Sequence, residues 1–146
     1  MSTAQTPEAA RLVIRPFSEA DEPALIEVWR RCNLVVPWNV PHDDVQRKLQ
    51  VQRDLYLVAV LDGRIAGTVM AGYDGHRGWI NYLAVDPDCQ RQGLGRQLMA
   101  AAEAGLRALG CPKINLQVRR ANANVVGFYE RIGFVVEDRI SMAKRL

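Results

Sequence analysis

Cysteines and long apolar runs are scarce in this sequence, and their scarcity excludes several classes of protein. The chain of 146 residues has three cysteines, an odd number without a CxxC pair, which fits neither a disulfide scaffold nor a zinc ribbon. The two histidines, His42 and His76, stand apart from the cysteines and from each other. We therefore expect no bound metal ion.

Membrane-spanning and targeting segments are missing as well. The longest apolar run, residues 55–61, is far shorter than the ~20 residues that cross a bilayer as a helix. The first ten residues, MSTAQTPEAA, have neither the basic start nor the apolar stretch of a signal peptide. We expect a flexible N-terminal tail over residues 1–10, no membrane partner, and a cytoplasmic protein with reduced thiols.

The charge is nearly balanced, with a net charge of +3, an isoelectric point near 9.0 and 24% charged residues. The basic residues are scattered among acidic ones, so they form no continuous track for a polyanion. Nucleic acid is therefore not expected as a partner, and the excess charge indicates a modest local patch. The length and the 49% hydrophobic content predict one domain, over residues 11–146.

The periodicity of the apolar residues predicts alternating strands and helices. Helical spacing between Leu25 and Cys32 predicts a first helix, and Asp62-Gly63 predicts a hairpin turn. The predicted strands cover residues 11–17, 55–61, 64–73, 79–85 and 113–118, with a final strand or hairpin from residue 134, and further helices cover residues 43–53, 93–109 and 122–132. This order predicts an α/β (α+β) fold with a mixed, mostly antiparallel central sheet flanked by helices.

Residues 90–99, QRQGLGRQLM, place two glycines where a helix is about to begin. Glycine costs about 0.5–1 kcal/mol relative to alanine inside regular structure, so Gly93 and Gly95 indicate a requirement of the backbone. A dinucleotide-binding GxGxxG motif would need a glycine at Leu98, and a Walker loop would need a lysine at Arg96. Both motifs are therefore excluded.

An anion site at the start of the helix remains possible. The free backbone N–H groups and the dipole of a helix N-terminus favour an anion, and glycine lets a phosphate approach the backbone. Arg91 and Arg96 flank the turn and would add charge-assisted contacts to a diphosphate. A solvated turn with incidental arginines is equally compatible with these residues taken alone.

Two longer motifs favour the anion site. Residues 83–99, LAVDPDCQRQGLGRQLM, closely resemble the acetyl-CoA-binding motif of the GNAT superfamily of N-acetyltransferases. Gln90, Gly93 and Gly95 occupy the three defining positions of that motif. Residues 118–134, VRRANANVVGFYERIGF, resemble the second signature of the family through Asn122, Phe128, Tyr129, Gly133 and Phe134, whereas Val125 stands where alanine is usual. Residues 68–78, TVMAGYDGHRG, further resemble the bacterial YpeA-type subgroup.

The resemblance implies a single-domain GNAT fold in which the fourth and fifth strands splay apart, with acetyl-CoA as co-substrate and no metal. It implies that the pantetheine arm lies along Leu83, Ala84 and Val85, where a backbone N–H polarises the thioester carbonyl. The pyrophosphate would bind at the turn that precedes the helix. The remaining cofactor-binding residues implied in this way are Gln90, Arg91, Gln92, Gly93, Leu94, Gly95, Arg96, Asn122 and Tyr129.

Tyr129 is the catalytic residue that the resemblance implies, with its hydroxyl near the sulfur as general acid. Spacing alone would instead favour an aromatic residue on the apolar face of a helix, together with Val125 and Ile132. The general base is left open. In the ribosomal-protein alanine N-acetyltransferases a glutamate often precedes Val-Arg on the fifth strand, whereas this chain has Gln117, which cannot accept a proton at neutral pH.

The acceptor site is the least readable part of the sequence. Asp74, His76 and Tyr82 are candidate bases, singly or through water. Trp38 lies in the segment after the first helix, which in this family usually borders the acceptor site, but it would serve equally well as a core residue that anchors the loop. The candidate acceptor-site residues are therefore Trp38, Asp74, His76 and Tyr82.

The function implied by the resemblance is transfer of the acetyl group of acetyl-CoA to a primary amine of a small molecule or of a protein (its N-terminus or a lysine). Two alternatives stay open. One is a non-catalytic acyl-CoA-binding regulatory domain, and the other is a toxin-type acetyltransferase that acts on aminoacyl-tRNA. A monomer or a homodimer is expected.

Overall fold

The computed structural model describes residues 11–146, so the predicted N-terminal tail lies outside the described residues. The chain divides into two compact units, one that ends at Leu116 and one that runs from Gln117 to Leu146. The first unit contains the sheet and three of the four α-helices, and the second contains the fourth. The fold belongs to the predicted α+β class.

The first unit is built on a five-stranded sheet with the strand order β1-β2-β3-β4-β5. The four strands from β1 to β4 pair antiparallel, and β5 pairs parallel to β4. The strands are β1 (Leu12–Pro16), β2 (Tyr56–Leu61), β3 (Arg64–Tyr73), β4 (Gly78–Val85) and β5 (Ile114–Leu116). The prediction of a mixed, mostly antiparallel sheet is confirmed.

Helices α1 (Glu22–Arg31), α2 (Pro41–Leu49) and α3 (Leu94–Ala108) belong to the first unit. The buried face of α1 consists of Leu25, Val28 and Trp29, which are three of the residues that predicted this helix. Gly105 allows α3 to pack closely on Leu55, the residue before β2, because a Cβ atom at this position would lie 2.4 Å from Leu55 Cδ2. The apolar periodicity thus gives each helix a buried face, and this face packs on the rest of the first unit.

The turn between β2 and β3 has the backbone conformation that its sequence predicts. Asp62 and Gly63 have φ angles of +50° and +79°, which are the left-handed values that a two-residue type I′ turn requires. Asp and Gly adopt such angles at low cost, and the turn sets the register of the hairpin. The pairing of Leu61 with Arg64 follows directly from it.

Strand β4 is irregular at its centre and open on one side. Two residues, Tyr82 and Leu83, lie opposite Val69 alone, because the register shifts between Thr68 and Met70 on β3. Tyr82 has a φ angle of +52°, so the strand contains a β-bulge there. Within residues 11–116, the ladder to β5 ends at the pair formed by Ile80 and Leu116. The rest of β4 is left available on that side, as expected for splayed strands.

The second unit contains one α-helix, α4 (Ala123–Arg131), close to its predicted bounds. The prediction of a final strand or hairpin from residue 134 is wrong, because residues 135–146 form neither. Val135, Val136, Ile140 and Met142 are all exposed. A strand forms only where a neighbouring strand supplies the ladder, and within residues 11–146 no strand pairs with this segment.

Candidate active site

The loop from β4 to α3 contains two residues in the left-handed conformation. Arg91 has a φ angle of +66° and Gly93 one of +79°. Gly93 is the N-cap of α3, and a Cβ atom built on it would meet nothing within 4 Å. The first glycine of the motif is therefore required by the backbone turn and borders open space.

The N-terminus of α3 has the features of an anion site. It has no side-chain cap and no acidic residue in its first turn. The first helical hydrogen bond runs from Gln97 N to Gly93 O, at 3.0 Å, so the N–H groups of Leu94, Gly95 and Arg96 belong to the turn that has no intrahelical acceptors. No carboxylate within the first turn of the helix offsets the positive potential at this end.

The side chains around this turn divide into two groups. Arg91, Gln92 and Arg96 are exposed, whereas Leu94 is buried in the core. Gln90 donates from Nε2 to the carbonyl oxygen of Val85, at 3.2 Å. The motif glutamine therefore connects the turn to the end of β4, and the buried Leu94 side chain anchors the first turn of α3.

The bulge on β4 is held by a chain of side-chain contacts from α1 and α2. The ring of Tyr82 stacks on Trp29, with centroids 4.0 Å apart. Trp29 Nε1 donates to Thr68 Oγ1 at 3.2 Å, and Thr68 Oγ1 donates to the Tyr82 carbonyl oxygen at 3.1 Å. Both Trp29 and Thr68 are fully buried. A left-handed non-glycine residue persists only where its surroundings fix it in this way.

Sequence reasoning missed Asp44, which lies on α2 and accepts a hydrogen bond from the Tyr82 hydroxyl at 2.7 Å. Burial and this carboxylate raise the pKa of Tyr82 to about 12. Tyr82 therefore stays protonated at neutral pH and acts as a donor to Asp44. No local signal marks Asp44 in the sequence, because the contact joins residues that are 38 positions apart.

The other predicted acceptor-site residues lie elsewhere in the first unit. Asp74 and His76 are exposed in the turn between β3 and β4, where Asp74 Oδ1 accepts from the backbone N–H groups of His76 and Arg77 at 2.8 and 2.7 Å. These hydrogen bonds form the turn, and they also lower the pKa of Asp74. The role of Asp74 is therefore to stabilise the turn. Trp38 is 55% exposed, so it is not a core residue that anchors its loop.

Asn122 and Tyr129 belong to the second unit. Tyr129 is 9% exposed on α4, and burial raises the pKa of its hydroxyl to about 12. The rings of Phe128 and Phe134 meet it edge-on, with centroid distances of 5.2 and 5.6 Å. Asn122 is exposed at the start of α4. Gln117 Nε2 donates to Ser141 Oγ at 2.6 Å, so its amide has a partner within the same unit.

Comparison with known proteins identifies the class. The aminoglycoside N-acetyltransferase AAC(6')-Iy, solved in complex with CoA, has the same fold, with a TM-score of 0.79 and 17% identity over 97% of this chain and 99% of that one. The ribosomal-protein-S18-alanine N-acetyltransferase from Escherichia coli has a TM-score of 0.71 and 28% identity, covering 84% of this chain and 77% of that one. The fold is that of an acetyltransferase.

The family follows from the sequence comparisons. An acetyltransferase of Pectobacterium atrosepticum is 47% identical over 133 residues, which is 91% of this chain and 94% of that protein. The chain belongs to the acetyltransferase (GNAT) family, whose model matches residues 22–134. It is therefore an acetyltransferase.

The described residues contain neither a metal-binding cluster nor a membrane-spanning helix. Among residues 11–146, no group of three or more His, Cys, Asp or Glu side chains is arranged to hold a metal ion. In the same part of the chain, no helix is long and apolar enough to cross a membrane.

Proposed function

We propose that this protein transfers the acetyl group of acetyl-CoA to a primary amine of a small molecule or of a protein, at its N-terminus or at a lysine. The observation that carries the proposal is the uncapped N-terminus of α3, reached through the left-handed Gly93. The names of two solved relatives, which specify an aminoglycoside and an alanine of ribosomal protein S18, support an amine as the acceptor.

The residues of the first unit fit the diphosphate of coenzyme A. The backbone N–H groups of Leu94, Gly95 and Arg96 would hold it, and the open space at Gly93 lets a phosphate approach. Arg91 and Arg96 would add charge-assisted contacts from exposed positions. The open side of β4 along Leu83, Ala84 and Val85 would hold the pantetheine arm through backbone groups other than the Val85 carbonyl oxygen, which already accepts from Cys32 and Gln90. Acetyl-CoA itself supplies an acetyl group that is activated as a thioester.

Tyr129 is our candidate for the general acid. In the reaction, a bond forms between the amine nitrogen and the acetyl carbon, the carbon–sulfur bond breaks, and the sulfur needs a proton. Burial raises the pKa of the Tyr129 hydroxyl to about 12, so this group keeps its proton at neutral pH and is present as the donor that general-acid help to the departing sulfur requires. A backbone N–H group of the β4 bulge would stabilise the charge that develops on the carbonyl oxygen.

Tyr82 and Asp44 are our candidates for removing the amine proton. Of the three bases expected from the sequence, Tyr82 alone combines a strained backbone on β4 with a hydrogen bond to a carboxylate. The Tyr82 hydroxyl would accept the amine proton while passing its own proton to Asp44. Tyr82 and Asp44 would thus replace the glutamate that some relatives have at the position of Gln117.

This assignment predicts that Asp44→Asn lowers kcat by about 100-fold, the usual contribution of a positioned base. Asp43→Asn is the matched control, because Asp43 is the neighbouring acid on the same helix and is exposed. Equal activity of the two variants, both folded, would remove Asp44 from the mechanism. In that case the amine would lose its proton to solvent before binding.

A screen for release of free coenzyme A thiol tests the function. Acetyl-CoA is incubated with peptides that have a free N-terminus, lysine peptides, polyamines and amino acids, and each rate is compared with hydrolysis without acceptor. We expect one amine class to give thiol well above that background. Binding of acetyl-CoA without turnover on any amine would indicate the non-catalytic alternative. Acetylation of aminoacyl-tRNA instead would indicate the toxin-type activity.

A further inference from the structure

Arg31, the last residue of α1, joins that helix to the loop after β4. Its Nη1 atom lies 2.7 and 2.6 Å from the two carboxylate oxygens of Asp86, and its Nη2 atom lies 3.0 Å from Asp88 Oδ2. The Asp86 side chain is 8% exposed, and that of Arg31 is 31% exposed. A partly buried guanidinium that is shared by two carboxylates fixes geometry more firmly than a surface ion pair does.

Asp86 is itself the corner of the loop. Its backbone N–H donates to Ala66 O at 2.7 Å, its side chain accepts from Asp88 N at 2.9 Å, and its carbonyl oxygen accepts from Cys89 N at 2.8 Å. It therefore ties β3 to the turn that begins at Pro87. Arg31 holds this corner from the opposite side.

The residue after Arg31 adds a second contact between the same two elements. Cys32 Sγ donates to the carbonyl oxygen of Val85 at 3.2 Å, and this oxygen also accepts from Gln90 Nε2. Two consecutive residues at the end of α1 thus hold the last residue of β4 and the first residue after it. The end of α1 is a fixed point for the loop.

The segment between this fixed point and α3 needs such support. Arg91 is a non-glycine residue in the left-handed region and Gly93 follows two positions later. A non-glycine residue in this region costs about 1–3 kcal/mol and persists only where the surroundings impose it. The loop has to keep this conformation for the N–H groups at the start of α3 to converge.

We propose that Arg31 is a positioning residue for acetyl-CoA, acting through Asp86 and Asp88 on the loop that presents the N-terminus of α3. The inference rests on the proposed binding of the diphosphate at that N-terminus. The charge of Arg31 is matched by two carboxylates, so it does not serve as a phosphate ligand. Its removal would loosen the loop and leave the negative charges of Asp86 and Asp88 less well compensated beside an anion site.

The test uses the full chain and acetyl-CoA as the probe. Arg31→Met should raise the Kd and the KM for acetyl-CoA at least about tenfold, the order usually seen when a supporting partner of a binding group is removed, with little change in kcat. Arg31→Lys keeps the charge but loses the fork of two N–H donors, so its KM for acetyl-CoA should lie between those of the parent protein and of Arg31→Met. This second variant serves if Arg31→Met does not fold.

Arg15 offers a matched control. It forms a similar pair with Asp21, with distances of 2.7 and 2.9 Å and comparable burial. Arg15→Met should lower the thermal stability to a similar extent while leaving the KM for acetyl-CoA unchanged. Equal affinity for acetyl-CoA in folded Arg31→Met and Arg15→Met would overturn the positioning role. Failure of the parent protein to bind acetyl-CoA in calorimetry would instead overturn the proposed function.

Discussion

Replacing Gly93 with alanine separates the backbone requirement at this position from its role in binding. Gly93 has a φ angle of +79°, and an alanine in the left-handed region costs about 1–2 kcal/mol. A Cβ atom would meet nothing within 4 Å, so no steric clash with the protein adds to that cost. We therefore expect Gly93→Ala to fold, with the melting temperature lowered by several degrees.

The effect on binding should be much larger. The Cβ atom enters the open space at the start of α3 and keeps the diphosphate away from the N–H groups. Loss of one hydrogen bond to a charged group costs about 1.5–3 kcal/mol, which corresponds to a roughly 10- to 100-fold weaker Kd for acetyl-CoA. Isothermal titration calorimetry on the folded variant measures this directly.

Gly110 provides the control for this experiment. It lies beyond the opposite end of α3, has a φ angle of +83°, and likewise has open space where a Cβ would point. Gly110→Ala should therefore cost the same stability and leave acetyl-CoA binding unchanged. If the two variants bound acetyl-CoA with equal affinity, the assignment of the diphosphate to the N-terminus of α3 would be refuted.

Three further predictions follow from the charges and hydroxyls of the molecule. Tyr129→Phe should lower kcat by about 100-fold or more without changing the affinity for acetyl-CoA. Because the pKa of Tyr129 is about 12, its deprotonation should cause no loss of activity below about pH 10. A parent-like rate of the variant in a chemistry-limited assay would mean that Tyr129 is a core aromatic residue only. The affinity for coenzyme A should fall as ionic strength rises, because Arg91 and Arg96 are exposed and salt screens exposed charges. In calorimetry, Arg96→Gln should show a weaker dependence of affinity on salt. A salt-independent affinity of the parent protein would contradict a role for these charges in binding. The hydrogen bond from Arg15 lowers the pKa of Asp21, so this carboxylate stabilises the fold above its unfolded pKa of about 3.9 and loses that contribution as the pH falls through the folded value. The free energy of unfolding of Arg15→Met, measured in urea, should therefore depend less on pH below about pH 4. An unchanged pH dependence would exclude the Arg15–Asp21 pair as the source of this stability.

Local patterns determine most of the first unit. The strands on either side of Asp62-Gly63 were predicted because turn residues and alternation act over a few positions, and the helix after Gly93 was predicted for the same reason. Gly93 was also predicted correctly to meet a requirement of the backbone, since its φ angle is +79°. The final strand was predicted wrongly, because a segment such as residues 135–146 becomes a strand only with a partner that its local sequence does not specify.

The sequence by itself therefore determined the order of the elements up to α4, the start of α3 at Gly93 and the membership in the acetyltransferase (GNAT) family that its motifs indicate. Only the tertiary structure decided which distant charges meet. Arg31 and Asp86 are 55 positions apart, and Asp44 and Tyr82 are 38 apart. An arginine at the end of a helix, or an aspartate within one, has the same local pattern whether it faces solvent or a partner. Its contacts follow from how the helix packs on the sheet, since burial of apolar residues such as Trp29 sets the position of the polar side chains on the same helix.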